Sequence, residues 1–265
     1  MTRPVRLAVQ LQPQHADYAT IRSAALRAEE MGVDIVFNWD HFYPLSGDPD
    51  GKHYECWTML ASFAEVTERV EIGALVTANG YRNPDLLADM ARTIDHISGG
   101  RFILGIGAGW NQKDHDEYGY DFGTRGTRLT ALREALPRIE QRWKRVNPPP
   151  TREIPILIGG GGERRTLRYT ARHADIWHGF GQPEVIRHKN QVLDQWCARE
   201  GRDPKEIERS SEGKLQRPEQ GDDYLEVGVS LMTLSFDGRT GYDMTPLQDW
   251  LAWRDERNGA RAARD

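Results

Sequence analysis

Ile154-Pro155-Ile156-Leu157-Ile158-Gly159-Gly160-Gly161-Gly162 is the stretch on which the reading of this chain turns. A short apolar run that passes at once into glycines is a strand giving way to a loop. A helix is expected beyond it from Glu163 to His173, with Arg164 and Arg165 in its first turn. Glycines let consecutive backbone N–H groups converge, because no Cβ restricts φ or blocks close approach. The helix N-terminus behind them adds partial positive charge. The stretch therefore reads as a seat for a phosphate, with a plain flexible strand–helix loop as the bland alternative.

The same unit recurs on both sides. Strands are expected at Val5–Leu11, Asp34–Asn38, Val70–Thr77, Arg101–Ile106, Ala174–His178, Ile207–Leu215 and Val229–Phe236. Helices are expected between them at Tyr18–Met31, Tyr54–Thr67, Pro84–Ile97, Thr127–Val146 and Pro183–Glu200, with Pro246–Arg257 closing the chain. Residues 107–126 read as one long loop, Asp222–Glu226 leaves little room for a seventh helix, and the tail after Asn258 reads as frayed. Eight strands alternating with helices predict a parallel sheet, and eight is the number that closes a barrel. The fold class is thus α/β: a single (β/α)8 TIM barrel with a shortened C-terminal region. An open doubly wound sheet is the alternative.

The chain has 265 residues, the size of one such barrel. A net charge of −5 argues against nucleic acid as a partner, since a phosphate backbone demands a basic face. No apolar run reaches the length of a membrane span. Cys56 and Cys197 stand alone, as reduced thiols of a cytoplasmic protein do, and the start of the chain lacks the apolar core of a signal peptide. The faces of Tyr54–Thr67 and Pro84–Ile97 could pair two copies as a homodimer, although a solvated face explains them equally well.

Unusual polar and aromatic residues collect where strands end, which is where barrel enzymes carry their active sites. They are Trp39-Asp40-His41 after the second strand, Thr77 and Asn79 after the third, Gly107, Gly109 and Trp110 after the fourth, Gly159 to Gly162 after the fifth, and His178-Gly179-Phe180 after the sixth. Asp40 and His41 are the candidate catalytic pair, an acid beside a near-neutral base, unless they are merely a cap and a solvated histidine. Trp39, Trp110 and Phe180 could wall a flat conjugated ligand or be ordinary core aromatics. The glycines at 105–109 fail the dinucleotide fingerprint, because its third glycine is replaced by Trp110. No Walker loop, HExxH or GxSxG occurs, and no histidine spacing suggests a metal site.

In this order the motifs resemble the luciferase-like monooxygenase superfamily, specifically its F420-dependent oxidoreductases. The matching residues are Glu30-Met31-Gly32-Val33-Asp34, Trp39-Asp40-His41-Phe42, residues 77–84, Asp95-His96-Ile97-Ser98-Gly99-Gly100-Arg101, residues 104–111 and residues 155–162. The resemblance implies a deazaflavin in the barrel mouth. Asp40 and His41 would lie against the ring, with Asp40 orienting His41 or holding the ring. Trp39, Thr77, Asn79, Gly107, Gly109, Trp110 and His178 would line the site, and Gly159, Gly160, Gly161 and Gly162 would hold the phosphate. It also implies a non-prolyl cis peptide at Ala74–Leu75 or Leu75–Val76.

Relatives that oxidise a sugar phosphate carry a tryptophan and a glutamate where this chain has Leu45 and Trp110, so that activity is not implied. The expected function is hydride transfer between F420 and a small organic substrate. The alternatives are an FMN-dependent two-component monooxygenase and a non-catalytic F420- or flavin-binding protein.

Overall fold

The structure, a computed structural model, describes residues 3–262, less the side chain at position 261. Nine parallel strand segments close into one barrel: β1 (Arg6–Leu11), β2 (Ile35–Asn38), β3 (Glu71–Ala74), β4 (Thr77–Ala78), β5 (Phe102–Gly107), β6 (Ile156–Gly159), β7 (Ile176–Gly179), β8 (Glu208–Glu212) and β9 (Leu231–Phe236). β1 pairs with β2 and β9, and the ring closes where β3 and β4 both pair with β5. The single third strand expected from the sequence is therefore two segments, interrupted by a cis peptide bond between Leu75 and Val76. They form one stave, so the barrel has the expected eight.

Helices α1 (Tyr18–Met31), α2 (Cys56–Val66), α3 (Pro84–Ile97), α5 (Arg125–Trp143), α6 (Thr166–His173), α7 (Pro183–Glu200), α8 (Gln220–Glu226) and α9 (Thr245–Ala262) connect the staves. Three expectations need correction. The loop at 107–126 contains an extra helix, α4 (Gln112–Tyr118). The helix after the tetraglycine starts at Thr166 and not at Glu163, so Arg165 caps it and Arg164 precedes it. The C-terminal tail is helical to Ala262, and positions 263–265 lie outside the described residues.

Alternation along each strand divides the core into two layers. Leu7, Val9, Leu11, Val36, Leu104, Ile106, Ile158 and Trp177 pack outward against the helices. Ala8, Ile35, Phe37, Ile103, Leu157, Ile176 and Leu231 fill the barrel's middle. Below this apolar plug, Arg6 reaches across the closed end to Glu71 at 2.6 Å and to Glu208 at 2.5 Å. Burial opposes the charge on Arg6, but the two carboxylates win and hold its guanidinium above its usual range. The polar sequence of β8 thus has a structural use: Glu208 anchors Arg6, while Ser210 serves the other end of the barrel.

Removing one member of a buried ion pair strands the other. Glu208→Ala is expected to cost about 3 kcal/mol of stability in urea unfolding, and a loss below about 1 kcal/mol would show that Arg6 is solvated without it.

Candidate active site at the barrel mouth

The same alternation decides which strand-end residues face the mouth. Inward positions of β2 continue from Phe37 through Trp39 to His41, and outward positions from Asn38 to Asp40. Asp40 and His41 therefore diverge. The buried Asp40 carboxylate accepts two hydrogen bonds from Arg82, at 2.6 and 3.1 Å, and one from the Ala78 N–H at 3.3 Å. Arg82 also reaches Glu55 at 2.6 Å, so this network ties the ends of β2 and β4 to the start of α2. Burial pushes the Asp40 carboxyl up, against the pull of Arg82. The expected pairing of Asp40 with His41 does not form.

His41 finds its acid on α4. Its Nδ1 lies 2.6 Å from Asp114 Oδ2. Asp114 is fully buried and also accepts from the Phe42 N–H (3.1 Å), the Tyr81 hydroxyl (2.9 Å) and Asn111 Nδ2 (3.0 Å). Burial would raise this carboxyl, but the bonds from His41, Phe42 and Tyr81 outweigh it and hold Asp114 below the usual range. An ionised Asp114 can only accept, so Nδ1 carries the proton and Nε2 is left for the mouth. Phe42 stacks on Tyr118 with centroids 4.1 Å apart, and Tyr81 stacks on Tyr120 at 5.7 Å. The first stack binds α4 to the loop after β2, and the second binds the turn beyond α4 to the segment after β4. The cap residues Asn111 and Gly119 were the sequence signal for α4.

Trp39 and Trp110 meet the His41 ring edge-on, at 6.0 and 5.5 Å. Trp39 is buried and donates from Nε1 to His53 Nε2 at 3.3 Å, whereas Trp110 is 67% exposed on the rim. Phe180 is exposed and meets the His178 ring edge-on. His178 Nδ1 lies 2.9 Å from Ser210 Oγ inside the mouth. Gln10 is a further inward polar residue: it donates to the Leu75 carbonyl at 2.8 Å and accepts from Ser235 Oγ at 2.9 Å. A polar residue at an inward strand position was its sequence signal.

Thr77 is fully buried, pairs in register with outward-facing Ile106, and has a hydroxyl without a partner among the described residues. It therefore faces the helix layer, because the interruption before it resets the alternation. Asn79 is also buried, and its Oδ1 has no partner among the described residues. Gly107 and Gly159 make room for Val76, since a Cβ on either would come within 2.9 to 3.0 Å of its methyl groups. Gly109 takes the left-handed conformation, φ +80°, beside His115.

In the tetraglycine loop, Gly160 has φ +120°, and its N–H donates to the His178 carbonyl at 3.0 Å. Among the described residues the N–H groups of Gly161 and Gly162 have no acceptor. A Cβ at Gly162 would stand 2.8 Å from Thr166 Oγ1 and 3.8 Å from Arg125 Nη2, and one at Gly161 3.6 Å from Lys189 Cε. Free amides, a hydroxyl and two cations, one of them Lys189 paired with Glu163 at 2.5 Å, give this loop the chemistry to receive an anion. No group of three or more His, Cys, Asp or Glu suited to a metal occurs among the described residues. No described helix is long and apolar enough to cross a membrane.

Residues 2–223 match the luciferase-like monooxygenases. The chain belongs to that family, and it is an enzyme of that family. It is 28% identical over 244 residues to the F420-dependent glucose-6-phosphate dehydrogenase of Kineococcus radiotolerans, covering 84% of this chain and 72% of that one. Its fold superposes on an F420-dependent secondary alcohol dehydrogenase in complex with an F420-acetone adduct, with a TM-score of 0.82 at 15% identity over 92% of this chain and 98% of the other. It also superposes on the FMN complex of the oxygenating constituent of 3,6-diketocamphane monooxygenase from Pseudomonas putida. There the TM-score is 0.65 at 16% identity, over 80% of this chain and 67% of that one.

Burial lowers the His178 imidazole to about 4, and burial, then the neighbouring His41, lowers His53 to about 4. Both are neutral in the folded protein. Between pH 6.5 and 4 the unfolded chain takes up protons that the folded chain refuses. The stability these groups provide is therefore complete above pH 6.5 and falls as the pH drops, by up to about 1.4 kcal/mol per pH unit for each. His178→Gln should flatten the pH dependence of unfolding free energy between pH 6.5 and 4.5, and parallel curves would show that His178 is protonated in place.

Proposed function

We propose that this enzyme transfers a hydride between coenzyme F420 and a small organic substrate. The observation that carries the reading is His41: a buried, ionised Asp114 takes its Nδ1 and leaves Nε2 without a hydrogen-bond partner among the described residues. The F420-dependent dehydrogenases among its relatives and structural neighbours support the choice of coenzyme.

The residues present suit the coenzyme. The tetraglycine loop with Thr166, Arg125 and Lys189 would hold its phosphate. Trp39, Trp110 and the Val76 bulge offer apolar surface to a flat ring, and Gly109 and the neutral His178 would complete the wall. Thr77 lies behind that wall in the helix layer, and the buried Asn79 follows the end of β4. The bound deazaflavin supplies the donor or acceptor of the hydride. His41 Nε2 would hold or return the proton that balances charge on the substrate oxygen or nitrogen. Asp114 keeps His41 in the productive tautomer and stabilises its protonated form. Asp40 acts at one remove, by fixing Arg82 and the strand ends.

The second reading, an FMN-dependent monooxygenase, is favoured by the structural neighbour in complex with FMN. Titration of the purified chain with F420 and FMN separates the two, and tight FMN binding without F420 binding would overturn the first.

Two substitutions test the roles. Asp114→Asn keeps the shape but not the charge, and it is expected to lower kcat about 10²-fold with little change in coenzyme affinity. Unchanged kcat would remove His41 from the chemistry. Gly162→Ala should displace the Thr166 hydroxyl and weaken the phosphorylated coenzyme about tenfold relative to its dephosphorylated core. Equal weakening of both would move the phosphate elsewhere.

A further inference from the structure

Beside the tetraglycine loop, α5 and α6 enclose a recess of about 260 Å³ lined by Arg133, Arg164, Arg165, Arg168, Tyr169 and Arg172. Five guanidiniums on one face of a chain with net charge −5 are a local reversal of sign. Their counter-charges are few. Glu200 takes Arg168 at 3.0 Å and Arg172 at 2.5 Å, and Glu134 takes Arg133 at 2.9 Å. Glu163 is turned away to Lys189 and His188. Arg164 and Arg165 form no ion pair with a described carboxylate, although Arg165 donates to the Gly126 carbonyl at 3.1 Å. The five cations thus face two carboxylates.

Arg168 and Arg172 stand four apart on one side of α6, Arg165 at its cap stands three before Arg168, and Arg164 precedes the helix beside them. From Arg165 to Arg172 the row descends about 10 Å along the outside of the barrel. It begins where the phosphate seat ends, because Arg165 caps the helix that follows Gly162. An anion leaving that seat meets guanidiniums in succession. Their planar forks suit carboxylates better than water does, and their stems need no buried counter-ion.

Resting on the F420 reading above, we infer that this groove seats the oligoglutamate tail that F420 carries beyond its phosphodiester. The phosphate of FMN is terminal and has no tail to place there. The groove would therefore contribute to discrimination between the two coenzymes, at a distance from the ring.

The test is a fluorescence titration of the full chain with long-tailed F420 and with the same deazaflavin phosphate lacking glutamates, at low and high salt. The long-tailed form is expected to bind about tenfold tighter, with an advantage that shrinks as salt rises. Arg133→Glu combined with Arg164→Glu, both on the surface, should erase that advantage and leave the tailless affinity unchanged. The corresponding lysine substitutions should retain most of it. Affinity that ignores tail length, or equal losses for both forms, would overturn the tail site while leaving the function in place. If neither deazaflavin binds, the function proposed above fails, and the tail site fails with it.

Discussion

Period-two alternation in a closed parallel barrel governs nearly everything in this molecule. A residue at a strand end has two choices, the mouth or the helix layer, and its neighbour must take the other. Trp39 and His41 take the mouth, so Asn38 and Asp40 do not. Asn38 instead donates to the Cys56 carbonyl at 3.0 Å, and Asp40 holds Arg82. The polar residues Gln10, His178, Ser210 and Ser235 all take inward positions above the apolar plug, and Arg6 and Glu208 take them below. Chemistry at one end and ionic closure at the other follow from one parity rule.

The barrel was legible because its signals are local. Pro84 at a helix start, Gly32 at a helix end, and the strand-to-glycine transition at Ile158 each announce themselves within a few residues. α1, α3 and α7 match their expected spans to the residue. The acid partner of His41 was not legible in this way. Asp40 is adjacent in sequence and Asp114 lies 73 residues away, so nearness along the chain pointed to the wrong carboxylate. Parity, applied to the second strand, would have excluded Asp40. It could not have supplied Asp114, which reaches the site through stacking of Phe42 on Tyr118 and of Tyr81 on Tyr120. Thr77 was misplaced for a related reason: the interruption at Leu75–Val76 resets the count, and no pattern in Val70–Thr77 marks where.

The glycines teach a different lesson. In the sequence, Gly107 and Gly159 to Gly162 look like one kind of residue doing one job. In the structure, Gly107 and Gly159 yield space to Val76, Gly160 supplies a positive φ, and Gly162 clears the Thr166 hydroxyl. Among the described residues, Gly161 and Gly162 are the glycines of this run whose backbone N–H groups have no acceptor, while Gly160 donates to the His178 carbonyl. A glycine run is thus a composite signal, partly packing and partly binding.

Charge is distributed to match. His53 and His178 are held neutral by burial, and Asp114 is the ionised group behind His41. The two neutral imidazoles add no formal charge to a mouth whose other inward polar groups, Gln10, Ser210 and Ser235, are uncharged hydrogen-bonding side chains. The formal cations stand apart from that ring surface: Arg82 is locked to Asp40, while Arg125, Lys189 and the α6 arginines gather around the glycine loop. Such an arrangement suits a ligand with a conjugated, weakly charged head and an anionic tail, since each part meets the environment that costs it least to enter.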